Sequence, residues 1–185
     1  MDDGQLKSAL VEVAYLEGDF VLRSGKRASY YLDKYRFETQ PDLLRTLGER
    51  LAEAVREREP EAARLAGPEL GAVALTAAAS LSSGLPFLIV RKEPKEYGTA
   101  KRIEGVFDAG ERICLIEDVV TSGGAAVGTV EALREAGLEC RTALCVVDRE
   151  EGGVDALARV GVRLEPLFRA SELAESRKSA AKPHG

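Results

Sequence analysis

From residue 63 onward the chain alternates short apolar runs with amphipathic stretches, and few folds accommodate that order. "ARLAG", "PFLIVRK", "ERICLIED", "RTALCVVD" and "VRLEPLF" have the length and branching of strands. Between them lie an Ala-rich helical stretch from Leu70 to Leu81, the helical "AAVGTVEALREAG" closed by Gly137, and "GVDALARVG". Strands that are apolar at successive positions have no solvent face, so helices must cover both sides of the sheet. The pattern predicts an α/β fold with a central, mostly parallel sheet. Upstream, Leu6, Leu10, Val13 and Leu16 sit at helical spacing before Gly18. "DFVLRSGKRASYYLDKYRF" reads as two short strands joined around Ser24-Gly25-Lys26. A helix from Thr39 to Glu59 takes Pro41 in its first turn and Leu43, Leu44, Leu47, Leu51 and Val55 as its apolar stripe. The end, "ESRKSAAKPHG", is polar and patternless and reads as a frayed tail.

Several function classes drop out at once. The one histidine, His184, is next to last, which removes a histidine base or histidine metal site. The net charge of −5, with both signs interspersed, does not supply the basic field that nucleic acid requires. No apolar run reaches the ~18 residues of a membrane span, and the acidic start is no signal peptide. Cys114, Cys140 and Cys145 form no CxxC pair and lie in apolar runs, as reduced buried thiols of a cytoplasmic protein do. There is neither GxxxxGK[ST] nor GxGxxG, so neither a P-loop nor a dinucleotide fingerprint is present.

The chemistry concentrates in "ICLIEDVVTSGG". Glu117 and Asp118 stand at the carboxyl end of a buried strand, where open α/β sheets bind ligands. Adjacent carboxylates repel each other and resist desolvation, so they need hydroxyl donors, a cation or water. Thr121-Ser122-Gly123-Gly124-Ala125 then opens a helix, and small residues there let backbone N–H groups approach a phosphate. A site for hydroxyls or a hydrated cation beside a phosphate cradle describes a sugar phosphate. A capped helix after a solvated acidic turn is the plain structural alternative.

The stretch "CLIEDVVTSGGA" resembles the phosphoribosyl-pyrophosphate (PRPP) signature of type I phosphoribosyltransferases. "FVLRSGKRASYYLD" (20–33), "RKEPKEYGTAKRIEG" (91–105) and "VVDRE" (146–150) are similar, in order and spacing, to segments of the orotate phosphoribosyltransferase family. The resemblance spans roughly residues 5–170. It implies the type I phosphoribosyltransferase fold, with an N-terminal helix and small hood over 1–38, an α/β core over 39–170 and a short C-terminal helix and tail over 171–185. It implies transfer of ribose 5-phosphate from PRPP to orotate, with Mg²⁺, in pyrimidine biosynthesis, by a homodimer whose loop 92–102 completes the neighbouring site. A phosphoribosyltransferase for a purine or other base, and a PRPP-sensing regulator without turnover, are the alternatives.

Residue roles follow from the same resemblance. Glu117 and Asp118 would meet the ribose hydroxyls and the water shell of the metal. Thr121 to Ala125 would cradle the 5′-phosphate, with Val119 and Val120 also in the PRPP site. The family often has a hydroxyl residue in place of Gly124, so here the grip falls to backbone N–H groups, Thr121 and Ser122. Arg91, Lys92, Lys95 and Tyr97 belong to the pyrophosphate loop, which also carries Lys101 and Arg102. Lys95 is the expected catalytic side chain, since a cation closed over departing pyrophosphate stabilises its growing charge. Some relatives have histidine in place of Tyr97. Arg149 matches the orotate-binding arginine, for which an ion pair with Asp148 is the plain alternative. Thr121, Tyr31, Arg23 and Lys26 complete the expected base site, although the family usually has lysine in place of Arg23. Glu69-Leu70 replaces a tyrosine-lysine pair that reaches PRPP in some relatives.

Overall fold

The computed structural model describes residues 1–21, 25, 27–93 and 102–180. Helix α1 (Asp3–Ala14) opens with a capping box in which Asp2 Oδ1 accepts from the Gln5 N–H and Gln5 Oε1 accepts from the Asp2 N–H. Its buried stripe is Leu6, Leu10 and Ala14. The helix ends earlier than its apolar spacing predicts. Tyr15 is already extended, and Leu16 enters strand β1 (Tyr15–Val21) opposite Tyr31 of β2 (Arg27–Leu32). Pairing with β2 overrides a helical period that continues by coincidence.

A short helix that periodicity did not reveal follows. Helix α2 (Lys34–Glu38) is capped by Asp33, whose Oδ1 accepts from the Tyr35 N–H, and is anchored by fully buried Phe37. Helix α3 (Pro41–Arg58) therefore starts two residues later than Thr39, with Pro41 in its first turn and Leu43, Leu47, Leu51 and Val55 buried.

The remainder runs β3 (Arg64–Pro68), α4 (Gly71–Ser83), β4 (Phe87–Val90), β5 (Ile103–Glu104), β6 (Arg112–Val120), α5 (Gly124–Glu135), β7 (Glu139–Asp148), α6 (Gly153–Arg159), β8 (Arg163–Arg169) and α7 (Ala170–Ala180). The main sheet has the order β5-β4-β3-β6-β7-β8, parallel throughout except for the β4–β5 edge pair. That edge strand, β5, lies in the polar, charged stretch 92–106, which has no apolar periodicity. From β3 the chain builds outward to β4, then returns to place β6 on the other side of β3. The crevice between the carboxyl ends of β3 and β6 is therefore the switch point at which such sheets bind ligands.

Strand alternation divides the core. Leu65, Cys114, Ile116, Leu144 and Val146 face α1, α3 and α4, whereas Ala66, Ile113, Leu115, Ala143 and Cys145 face α5 and α6. Helix α7 takes in residues 175–180 of the stretch whose composition reads as a frayed tail. Helix α7 continues to Ala180, buries Leu173, packs against α1 and is tied to it by Lys7 and Glu172 (3.2 Å). Tertiary packing holds a helix there that lacks a strong apolar face of its own.

Phe37 is the anchor of α2, so Phe37→Ala should cost about 3–5 kcal/mol through the cavity it leaves. Urea unfolding should show a lower midpoint at unchanged slope; an unshifted midpoint would mean that α2 contributes little to the core.

Candidate active site

The crevice at the β3–β6 switch holds a cavity of about 380 Å³, lined by Lys34, Glu69, Gly71, Arg91, Glu117 and Asp118 among others. Its floor is acidic and its rim is basic. Glu117 and Asp118 lie inside β6, which runs two residues further than the segment "ERICLIED", to Val120. Their burial is nearly complete, at 6% and 4% exposure. The pleat sends adjacent side chains to opposite faces of the sheet. Asp118 follows Cys114 and Ile116 towards α4, and Glu117 follows Ile113 and Leu115 towards α5.

On the α4 side, Lys34 Nζ donates to Asp118 Oδ2 at 2.5 Å. Asp118 Oδ1 accepts from the Val119 N–H. Gly71 permits this approach, because a Cβ there would collide with Asp118 Oδ2 and lie 2.5 Å from Lys34 Nζ. Burial alone would lower the Lys34 pKa, but the hydrogen bond and charge of Asp118 raise it above its usual value. Buried Glu38, on the same short helix as Lys34, is pushed up to about 8 by burial, then by the charge of Asp118, with Lys34 opposing. Glu117 is also pushed up to about 8, by burial first and Asp118 second. Its Oε1 has no hydrogen-bond partner among the described residues. An unpartnered, buried carboxyl oxygen such as this one can accept from a hydroxyl or from metal-bound water.

The loop after β6 forms a second cavity of about 380 Å³, lined by Glu117 and the run from Val119 to Ala126. Gly123 takes φ 80° and α5 begins with no side-chain cap. Thr121 and Ser122 are exposed and do not close the helix, contrary to the capped-helix alternative. The first N–H groups of α5 thus face the cavity, with the favourable end of the helix dipole behind them. A side chain on Gly123 would press on Gly153 and Ala156, so α6 packs directly behind the loop. A Cβ on Gly124 would meet nothing within 4 Å, so the hydroxyl residue common in the family has room here.

No protein-family model matches the chain. Over 156 residues it is 49% identical to the orotate phosphoribosyltransferase of Methanocella arvoryzae, a match covering 84% of this chain and 87% of that relative. The chain belongs to the orotate phosphoribosyltransferase family. The Aeropyrum pernix orotate phosphoribosyltransferase structure is 32% identical and has a TM-score of 0.85, covering 94% of this chain and 98% of that one. The Mycobacterium tuberculosis orotate phosphoribosyltransferase, solved in complex with PRPP, is 25% identical with a TM-score of 0.77, covering 92% and 98%. The α/β architecture is accordingly the type I phosphoribosyltransferase fold of this family.

The other family positions fall as follows. The Arg91 N–H donates to the Arg102 carbonyl (2.7 Å), and the Lys92 N–H to Glu69 Oε1 (2.8 Å), so Glu69 braces one end of the segment expected to meet pyrophosphate. Arg102 also lines the cavity. Lys95, Tyr97 and Lys101 of that loop, and Arg23 and Lys26 of the hairpin, lie outside the described residues. Arg149 pairs with Glu151 (2.9 Å), and Asp148 instead accepts from the Glu150 N–H, so the Arg149–Asp148 pair is not formed. The guanidinium lies over the ring of Tyr30, 5.0 Å from its centroid. Tyr31, the expected aromatic, packs against Phe20 at 5.7 Å on the other face of the hairpin. Lys34, Glu38, Gly71 and Tyr30 were not singled out by sequence; only the tyrosine pair "YY" carried a signal, and it did not say which ring faces the site.

A carboxyl that titrates near 8 folded and near 4.5 unfolded binds its proton more tightly in the folded chain. Stability from that source is complete below the unfolded value and is lost as pH rises through the folded one. The ligand-free chain should therefore lose stability between about pH 4.5 and 8, and Glu117→Gln should make the decline shallower. Urea unfolding across that range tests it; identical slopes for the two proteins would refute burial of Glu117 as a cause.

Proposed function

We propose that the chain transfers the ribose 5-phosphate of PRPP to orotate, giving orotidine 5′-monophosphate and pyrophosphate. The observation that carries this reading is the meeting, at one switch point, of buried acids with an uncapped helix N-terminus. These are complementary to the hydroxyls and the 5′-phosphate of one sugar phosphate. Thr121 to Ala125, with Val119 and Val120, bind the phosphate, while Glu117 and Asp118 accept from the ribose hydroxyls. Arg149, with Tyr30 against its guanidinium and with Thr121, Arg23 and Lys26 contributing, receives orotate. A planar guanidinium suits a flat, anionic pyrimidine.

The bond between C1′ and the pyrophosphate oxygen breaks, and the ring nitrogen of orotate forms the new bond at C1′. Pyrophosphate leaves with the electron pair. The proton of the attacking ring nitrogen passes to the departing pyrophosphate or to water, so no strong base is needed, in keeping with described site residues that include no histidine. Positioning and charge stabilisation supply the rate. Lys95, with Arg91, Lys92 and Tyr97, meets the charge that grows on pyrophosphate.

The donor set also suits Mg²⁺. Glu117 Oε1 is buried and unpartnered, and no group of three or more metal-ligating side chains exists among the described residues. Such a site takes a hydrated ion through water and substrate oxygens, not in a protein cage. When bound, Mg²⁺ would neutralise part of the pyrophosphate charge. The compartment of this reading is the cytoplasm, in keeping with Cys114, Cys140 and Cys145, which are buried and free of disulfides. The unit is a homodimer in which loop 92–102 of one subunit completes the other's site.

With PRPP and Mg²⁺ present, orotate should be consumed while adenine and hypoxanthine are untouched. Consumption of a purine instead would overturn the orotate assignment, and PRPP binding without turnover of any base would favour a regulator. Lys95→Ala should lower kcat at least about 100-fold with a much smaller change in PRPP affinity, the signature of a contact made in the transition state. Equal losses in both would remove Lys95 from that role.

Sharing of the loop has its own test. Lys95→Ala and Asp118→Asn subunits, each inactive alone, should recover up to about a quarter of the wild-type rate when mixed and reassociated, because half the dimers then hold one intact site of two. No recovery from exchanging subunits would place the loop over its own site.

A further inference from the structure

The base-side arginine does not stand alone. The Arg149 guanidinium lies 5.0 Å from the ring centroid of Tyr30. Tyr30 in turn stacks on Tyr15, with centroids 4.8 Å apart and planes 5° from parallel. The Arg177 guanidinium covers Tyr15, 4.9 Å from its centroid. A ring face takes one stacked partner, so the order is Arg149, Tyr30, Tyr15, Arg177. An ion pair closes each end: Arg149 with Glu151 (2.9 Å), and Arg177 with Glu17.

The hairpin register builds the middle of this column. Glu17 stands directly opposite Tyr30 in the β1–β2 ladder, and Tyr15 opposite Leu32, so Tyr15, Glu17 and Tyr30 project from one face. Tyr15 and Tyr30 are diagonal neighbours, within reach for two aromatic rings. Tyr31 projects from the opposite face, beside Phe20. Arg177 arrives from α7, in the segment whose composition suggested a loose tail.

We propose that Tyr30, Tyr15 and Arg177 are positioning residues that hold Arg149 in the orientation with which it receives the base, so that α7 governs affinity for orotate without touching it. The inference rests on the proposed role of Arg149. An arginine side chain has many rotamers, and ordering it on binding weakens the complex. Here the side chain is only 8% exposed and is already ordered between Glu151 and the face of Tyr30. Its Nε has no partner among the described residues and remains available to donate to a ligand. Cations on the outer faces of a ring pair complement the negative charge of those faces, so Arg177 and Arg149 both favour the same stacked arrangement.

Steady-state kinetics on the whole chain, varying each substrate in turn, tests the column. Arg177→Gln and Tyr15→Leu should raise KM for orotate by about three- to tenfold, the size of one cation–π contact. KM for PRPP and kcat at saturating orotate should stay within about twofold, and Tyr15→Phe, which keeps the ring but loses the hydroxyl that also meets Arg177, should fall between wild type and Tyr15→Leu. Arg177 is partly exposed on α7, so its variant reads the column even if Tyr15→Leu folds poorly. Unchanged orotate KM in Arg177→Gln, or parallel loss of both substrates and thermal stability, would overturn the proposal. Arg149→Gln separates the two levels. If it leaves orotate KM unchanged, the base site itself is wrong; if it raises KM while the Arg177 and Tyr15 variants do not, only the positioning column is wrong.

Discussion

Two neighbouring carboxylates, buried at the end of a parallel strand, are the constraint around which this site is arranged. Side by side in one plane they would repel strongly in a poorly screened interior. The pleat of β6 separates them, one to each face of the sheet, and each face then meets a different demand. On one, Asp118 takes Lys34, the Val119 N–H and the bare Cα of Gly71. On the other, Glu117 is left with an unpartnered oxygen and a strong tendency to keep its proton. The first carboxylate is placed by structure, and the second is held in reserve for what enters the crevice. The short helix α2 carries both Lys34, which reaches Asp118, and buried Phe37.

Next to that acidic floor stands a surface of opposite character. The start of α5 presents uncapped N–H groups, and the close approach of Gly123 to α6 keeps the loop from yielding. One small molecule must satisfy both halves, offering hydroxyls to one and an anion to the other a few ångströms away. Neither half would select such a molecule alone: anion cradles accept many phosphates, and buried acids accept many cations. Selectivity for a phosphorylated sugar would arise from the combination, and in the reading proposed above the choice of base falls to the hairpin, Arg149 and α7.

How much of this could be read in the sequence depended on the range of the interactions. The strands and helices after residue 63 were plain because each apolar run is local and bounded by turn residues, and the acid pair with its glycine loop sits within nine residues, 117–125. Lys34 was silent because its partner is 84 positions away. Helix α2 was missed because five residues are too few to establish a period. The choice between Tyr30 and Tyr31 turned on strand parity, which adjacent aromatics cannot disclose without the partner strand. The end of α7 looked like a tail because its order derives from α1 and from Arg177 covering Tyr15, not from an apolar stripe.

The pleat also gives the acid pair a spelling. Asp118, the shorter side chain, ends against the Cα of Gly71, with Lys34 closing the remaining space. A glutamate at 118 would carry an extra methylene into a gap that cannot hold even a methyl group on Gly71. At 117 the longer side chain reaches into the cavities on either side of it. Glu–Asp and Asp–Glu have the same charge and composition, yet on this strand they are not synonyms: reversing them would exchange reach for fit on both faces at once.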